Sequence, residues 1–159
     1  MNKKIVISVI FLLLLSISLF FAHRYYTKQI INVNQSLFSE QIGYSQLQED
    51  IISRSNVQAY FLCEEGSDCD YVSFTLLKPI LNKYQLPFFS SITFVNMNDV
   101  SRQVSSTRLK ELYNIQSVPA LVLINTSDSS VLATLEYSKS TPLTDVMVEE
   151  WLLTHSLIR

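Results

Sequence analysis

The stretch "LKELYNIQSVPALVLIN", residues 109–125, carries the most informative transition in the chain. Its first half is helical in pattern. Within "SSTRLKELYNI", 105–115, Leu109, Leu112, Tyr113 and Ile115 fall on or near one face at steps of three and four. Its second half, "ALVLIN", 120–125, is a short unbroken apolar run with strand character. Val118 and Pro119 stand between the two, and a proline without an N–H is tolerated at the entry to a strand. Beyond it, "VLATLEY", 131–137, reads as another strand, and the link "TSDSS" is turn-like, so the pair is expected to form a hairpin. The closing "TPLTDVMVEEWLLTHSL" reads as a helix with Thr141 as cap and Pro142 at the first helical position. Trp151 is expected to pack that helix onto a sheet.

Working upstream, "SITFVNMND", 91–99, is a further strand, and the aromatic "PFFSSITF", 87–94, reads as core. "NVQAYFLC", 56–63, is short, apolar and aromatic, again a strand. After an acidic loop, "DYVSFTLLKPILNKY" reads as a helix capped by Ser67 or Asp68, with Pro79 kinking it or ending its first half. From Ser36 the pattern turns helical, with Leu37, Phe38, Ile42, Leu47, Ile51 and Ile52 at three- and four-residue steps and Gly43 dividing the run. The expected order is α-β-α-β-α-β-β-α. Such alternation implies an α/β body whose central mixed sheet has parallel members and an antiparallel edge.

The N-terminus is of another kind. Residues 5–22, "IVISVIFLLLLSISLFFA", carry no charge, and Lys3, Lys4 and Arg24 flank them. Eighteen helical residues span about 27 Å, enough for a thin bilayer core. A cleaved signal peptide is the alternative; Phe20 two residues before Ala22 gives no small-x-small cleavage pair. The expected organisation is a transmembrane anchor over 1–24, a juxtamembrane stalk and helix over 25–44, and a folded domain over 45–159. The small positive excess before the span favours a single-pass protein in the cell membrane with its domain extracytoplasmic. Residues 25–159 hold 9 Lys and Arg against 14 Asp and Glu, a net −5 that argues against a nucleic-acid partner.

In aggregate the chain resembles a thioredoxin-like protein. Three features carry the resemblance: the strand-loop-helix unit "VQAYFLCEEGSDCDYVSFTLLKPIL", the central-strand segment "ITFVNMND", and "LKELYNIQSVPALVLIN". The last matches a helix, a tyrosine-containing turn, a small-apolar-Pro pair and an apolar strand, and it puts Pro119 at the family's cis-proline. The resemblance implies a thioredoxin-like fold, with Val118 and Pro119 offering surface and backbone to a substrate peptide. The departure lies in the family's Cys-x-x-Cys. Aligned on the resolving cysteine, Cys69 follows Gly66 in "GSDC", Cys63 falls three residues early, Phe74 replaces a family proline, and Tyr60 takes the place of a proton-moving aspartate. Aligned on the first cysteine, the second position is Val72. The apolar positions that follow favour the first alignment.

Cys63 and Cys69 are the only cysteines, with five residues between them. A helix start lowers a thiol pKa, but Glu64, Glu65, Asp68 and Asp70 oppose the thiolate, and no Lys or Arg is nearer downstream than Lys78. A structural disulfide, a working redox pair and two unlinked thiols all remain open from the residues; an oxidising compartment favours the first. No metal is expected, since the two histidines, His23 and His155, lie far from "CEEGSDCD". No cofactor motif is present. Two functions follow. One is a non-catalytic or weakly redox-active module that binds an envelope or secreted protein or peptide, held to membrane lipid by its N-terminal helix. The other is a thiol-disulfide oxidoreductase acting on exported proteins, with Cys69 and Cys63 as catalytic residues.

Overall fold

The computed structural model describes residues 14–22, 37–98 and 105–159. The chain divides into two compact units, 1–33 and 34–159. In the first unit residues 14–22 are helical, with Leu14, Leu19, Phe20 and Phe21 exposed. Among the described residues no helix is long and apolar enough to cross a membrane. Of the expected anchor over 1–24 only residues 14–22 are among them, and residues 25–36 of the expected stalk over 25–44 lie outside them.

The second unit runs β1 (Phe38–Gly43), α1 (Tyr44–Ser53), β2 (Val57–Cys63), α2, β3 (Phe89–Asn96), α3 (Ser106–Tyr113), β4 (Ala120–Asn125), β5 (Ser130–Glu136) and α4 (Asp145–Thr154). Helix α2 is continuous through three segments, Ser67–Asp70, Tyr71–Leu77 and Lys78–Lys83. The five strands lie in the order β1-β3-β2-β4-β5. β1 and β2 run parallel to β3, and β4 and β5 are antiparallel. This is the thioredoxin-like arrangement that the resemblance implied.

One strand overturns the sequence reading. Residues 38–43 are not helical; they pair in parallel with β3, from Phe38 opposite Phe89 to Gly43 opposite Asn96. Phe38 explains the outcome. Its ring lies 5.4 Å from that of Phe61 and 5.7 Å from those of Phe89 and Phe94, so the strand is anchored in an aromatic cluster. Helical spacing within 36–52 loses to that burial, because strand preference is largely a matter of fit to neighbouring strands. Gly43 divides the segment, as expected: it caps α1, and its N–H donates to Oε1 of Gln46.

Alternation along β2 assigns its side chains to two layers. Ala59, Phe61 and Cys63 enter a core with Val72, Leu76, Leu77 and Ile80 of α2 and Val148 and Leu152 of α4. Tyr60 and Leu62 enter the opposite core, with Leu47 and Ile51 of α1 and Leu109 and Tyr113 of α3. Trp151 packs against the first core, as expected. In the aromatic run 87–94, Phe89 and Phe94 are buried while Phe88 is exposed.

Two helix ends differ from expectation. The cap of α2 is Gly66, not Ser67 or Asp68. α4 begins after Thr144, whose hydroxyl accepts from the N–H of Met147, so Thr141 and Pro142 lie in the preceding loop. Buried Leu143 fixes that later start. α2 does not end at Pro79. Its hydrogen bonding widens to π turns over Tyr71–Leu77, where the N–H of Lys78 reaches the carbonyl of Ser73, and Pro79 follows in the closing α segment. Proline has no N–H to give, and a locally wider turn is one way a helix continues past such a residue.

Candidate functional site

Cys63 is the last residue of β2, and its carbonyl accepts from the N–H of Met97 just past β3. The loop 64–66 then turns the chain into α2, whose first turn holds Cys69. Asn98 pins this loop: its Oδ1 accepts from the Glu65 N–H at 2.7 Å, and its own N–H donates to Oδ1 of Asn96. Sequence reading treated 91–99 as plain strand and missed this role. The signal was the closing "NMN", since Asn side chains bond backbone two residues away and favour turns.

Cys63 and Cys69 are joined in a disulfide with Cα atoms 5.8 Å apart. That separation lies within the roughly 4.4–6.8 Å a disulfide requires. Both residues are buried, at 1% and 2% exposure. Glu64 and Glu65 are exposed and Asp68 half-buried, so carboxylates rim a pair that is itself sunk into the core. Asp70 differs from its neighbours. Its Oδ1 is buried with no hydrogen-bond partner among the described residues, and burial pushes its carboxyl above the usual aspartate range.

The peptide bond between Val118 and Pro119 is cis. The turn is tied to β5: the carboxylate of Glu136 accepts from the Gln116 and Ser117 N–H groups, and the Ser117 hydroxyl donates to the carbonyl of Tyr137. The Pro119 carbonyl accepts from the Tyr137 N–H. Glu136 was another residue that the sequence did not single out. Its contacts are with residues 19 and 20 positions away.

The two halves meet in one shallow pocket of about 160 Å3, bounded by residues 64–68, Cys69, Val118 and Pro119. Three of the four candidate site residues thus border it, and Cys63 lies behind, bonded to Cys69. Gly66 stands where the preferred alignment puts the family's attacking cysteine. Its φ is +155°, a backbone setting that L side chains rarely adopt. Open space surrounds its Cα, so it is the backbone rather than crowding that disfavours a side chain there.

Tyr60 does not serve the cysteines. It faces the opposite layer from Cys63, and its hydroxyl donates to Oδ2 of Asp50 at 2.8 Å. Arg54 grips the same carboxylate with two nitrogens and reaches Glu40 on β1. Burial, reinforced by that bond, holds the Tyr60 hydroxyl far above its ordinary pKa, and the bond to Asp50 does likewise for Arg54. Tyr60, which stands where the alignment puts the family's proton-moving aspartate, is instead a locked donor within a structural ion-pair network. Among the described residues no group of His, Cys, Asp and Glu is arranged to hold a metal.

No protein-family model matches the chain, and no curated protein matches it in sequence. Among solved structures it is similar to thioredoxin f2 of Chlamydomonas reinhardtii, at 11% identity and a TM-score of 0.49, covering 76% of this chain and 98% of that one. It is also similar to oxidised thioredoxin from Plasmodium falciparum, at 14% identity and a TM-score of 0.45, covering 73% and 96%. A designed protein is similar at 16% identity and a TM-score of 0.42, covering 76% and 93%. The thioredoxin-like fold stands on strand order, strand directions and the cis-proline of this chain itself.

Proposed function

We propose that this is a membrane-anchored, extracytoplasmic thioredoxin-like protein that works by binding an extended segment of an envelope or secreted protein. In this reading the Cys63–Cys69 disulfide staples the loop that forms one wall of the pocket, and the turn at Val118 and Pro119 forms the other. The observation that carries it is the burial of both bonded cysteines, at 1% and 2% exposure, with Gly66 at the place of the family's attacking thiol. An incoming thiolate must line up with a sulfur–sulfur bond, and a bond without access exchanges slowly. The apolar, charge-free residues 5–22 support the anchor, and an oxidising compartment suits a formed disulfide.

Opening of the disulfide by dithiothreitol, followed by thiol trapping in the native full chain and in urea, tests this. A staple opens much more slowly in the native chain; equal rates contradict the reading. Protease accessibility in intact cells tests the side: a protected domain removes the extracytoplasmic placement.

A second reading, a thiol-disulfide oxidoreductase, is favoured by one observation. Cys69 borders the same pocket as Pro119, the place where a partner sulfur would arrive. Fast exchange in the native chain selects this reading over the first.

A further inference from the structure

Ser73 lies one helical turn beyond Cys69 on α2 and is fully buried, at 0% exposure. Its hydroxyl faces the Cys69 sulfur at 4.0 Å. A disulfide sulfur carries no hydrogen, so in this pair only the hydroxyl can donate. A hydroxyl sunk among Val72, Leu76 and Leu77 is costly unless it has an acceptor, and water does not reach it. In the bonded state the sulfur is a poor acceptor at long range. Once the bond opens, Sγ is free to turn toward the hydroxyl, and a thiolate is a far stronger acceptor than a disulfide.

We propose that Ser73 is a thiolate-positioning residue, whose hydroxyl holds the negative charge of Cys69 when the Cys63–Cys69 bond opens. The opening agent is an external dithiol. One of its thiolates attacks Sγ of Cys69, the sulfur that borders the pocket, and Cys63 leaves as a thiolate. The dithiol's second thiolate then attacks its own sulfur in the mixed disulfide, and Cys69 leaves as the thiolate that Ser73 receives. The dithiol departs as a cyclic disulfide, having given two electrons; one of its protons passes to Cys63 and the other to solvent, so Cys69 remains ionised.

Among the described residues, the carboxylates that border Cys69 oppose that thiolate. Glu64, Glu65 and Asp68 rim the pocket, and Asp70 follows on the helix. Val118 and Pro119 close the other side without an ionisable side chain. The Ser73 hydroxyl on the core side is thus a neutral donor set against four carboxylates. The inference rests on the site placement given above, but its readout, the acidity of Cys69, is separate from whether the disulfide is a staple or an exchanging pair.

The test is the pKa of Cys69 in the full chain carrying Cys63→Ala, read from thiolate absorbance against pH, with and without Ser73→Ala. A lost hydrogen bond to a charged group corresponds to a rise of about one pKa unit, tenfold in the ionisation constant. Val72→Ala in the same background is the structural control: it removes buried apolar atoms one residue away. The expected result is a rise with Ser73→Ala and none with Val72→Ala. An unmoved pKa with Ser73→Ala, or equal rises in both, overturns the proposal. Should Cys63→Ala not hold the native fold, the same comparison is made on the intact disulfide, as its equilibrium with dithiothreitol above and below the thiol titration range. Ser73→Ala is then expected to shift that equilibrium about tenfold toward the disulfide above the range and not below it; a shift at neither pH, or at both alike, overturns the proposal.

Discussion

Replacing both cysteines with alanine is the perturbation whose size the structure defines best. The disulfide closes a loop with five residues between its ends. Loop-closure entropy for about six residues contributes about 2 kcal/mol of stability. Each cysteine is also almost fully buried, so each truncation removes a packed sulfur from the core, about 1 kcal/mol apiece by analogy with a deleted methylene. Cys63→Ala with Cys69→Ala should therefore cost about 4 kcal/mol. Either single variant breaks the same bond and loses one sulfur, about 3 kcal/mol. The singles sum to about 6 and the double falls short of that sum by about 2, the share of the loop constraint lost only once. Urea unfolding of the 34–159 unit reads all three, the double shifting its midpoint down by about 2–3 M at a slope of about 1.5 kcal/mol per M. Additive single variants, or a double variant within about 1 kcal/mol of the parent, would refute the staple, leaving Asn98 and the core contacts to hold the loop.

Other predictions follow from the site's surroundings. Tyr60→Phe should cost about 1–2 kcal/mol by urea unfolding through loss of the bond to Asp50, yet leave the disulfide's potential unmoved; a shifted potential would tie Tyr60 to the redox site. Gly66→Ala should destabilise by about 1–3 kcal/mol from backbone strain alone, and an unchanged urea midpoint would refute the loop conformation. Asn98→Ala frees the Glu65 N–H, and amide exchange at 64–66 should speed up; unchanged exchange removes Asn98 from the loop's support. Asp70 supplies a pH signature. Burial raises its folded pKa, so the folded chain holds that proton more tightly than the unfolded chain. Its contribution to stability is complete below the ordinary aspartate range and is lost as pH rises through the folded value. Asp70→Asn should therefore match the parent in acid and exceed it in urea midpoint near neutrality; a difference independent of pH would count against the burial argument.

The parts of the fold that were legible are those in which local pattern and final environment agree. β2, the β4–β5 hairpin and α3 follow from apolar runs and periodicity, and Ser105 caps α3 by accepting from the Arg108 N–H. β1 was illegible because only Phe38 is buried along it, and the partners that make it a strand come from β2 and β3, more than twenty residues on. The start of α4 moved because Thr141 and Thr144 offer equivalent caps to the eye, and the burial of Leu143 chooses between them. At the site, the sequence supplied Cys63, Cys69, Val118 and Pro119, but which layer each residue of β2 enters depends on the register of the sheet. That register separated Tyr60 from the cysteines. Asn98 and Glu136 act on backbone far away in sequence, which spacing alone does not reveal.

The reduction potential of the Cys63–Cys69 pair in the full chain, measured by thiol trapping across a graded dithiothreitol series, tests the central claim most directly. A staple predicts a value below about −300 mV; a value between about −120 and −270 mV, the range of working thioredoxin-fold oxidoreductases, would contradict it.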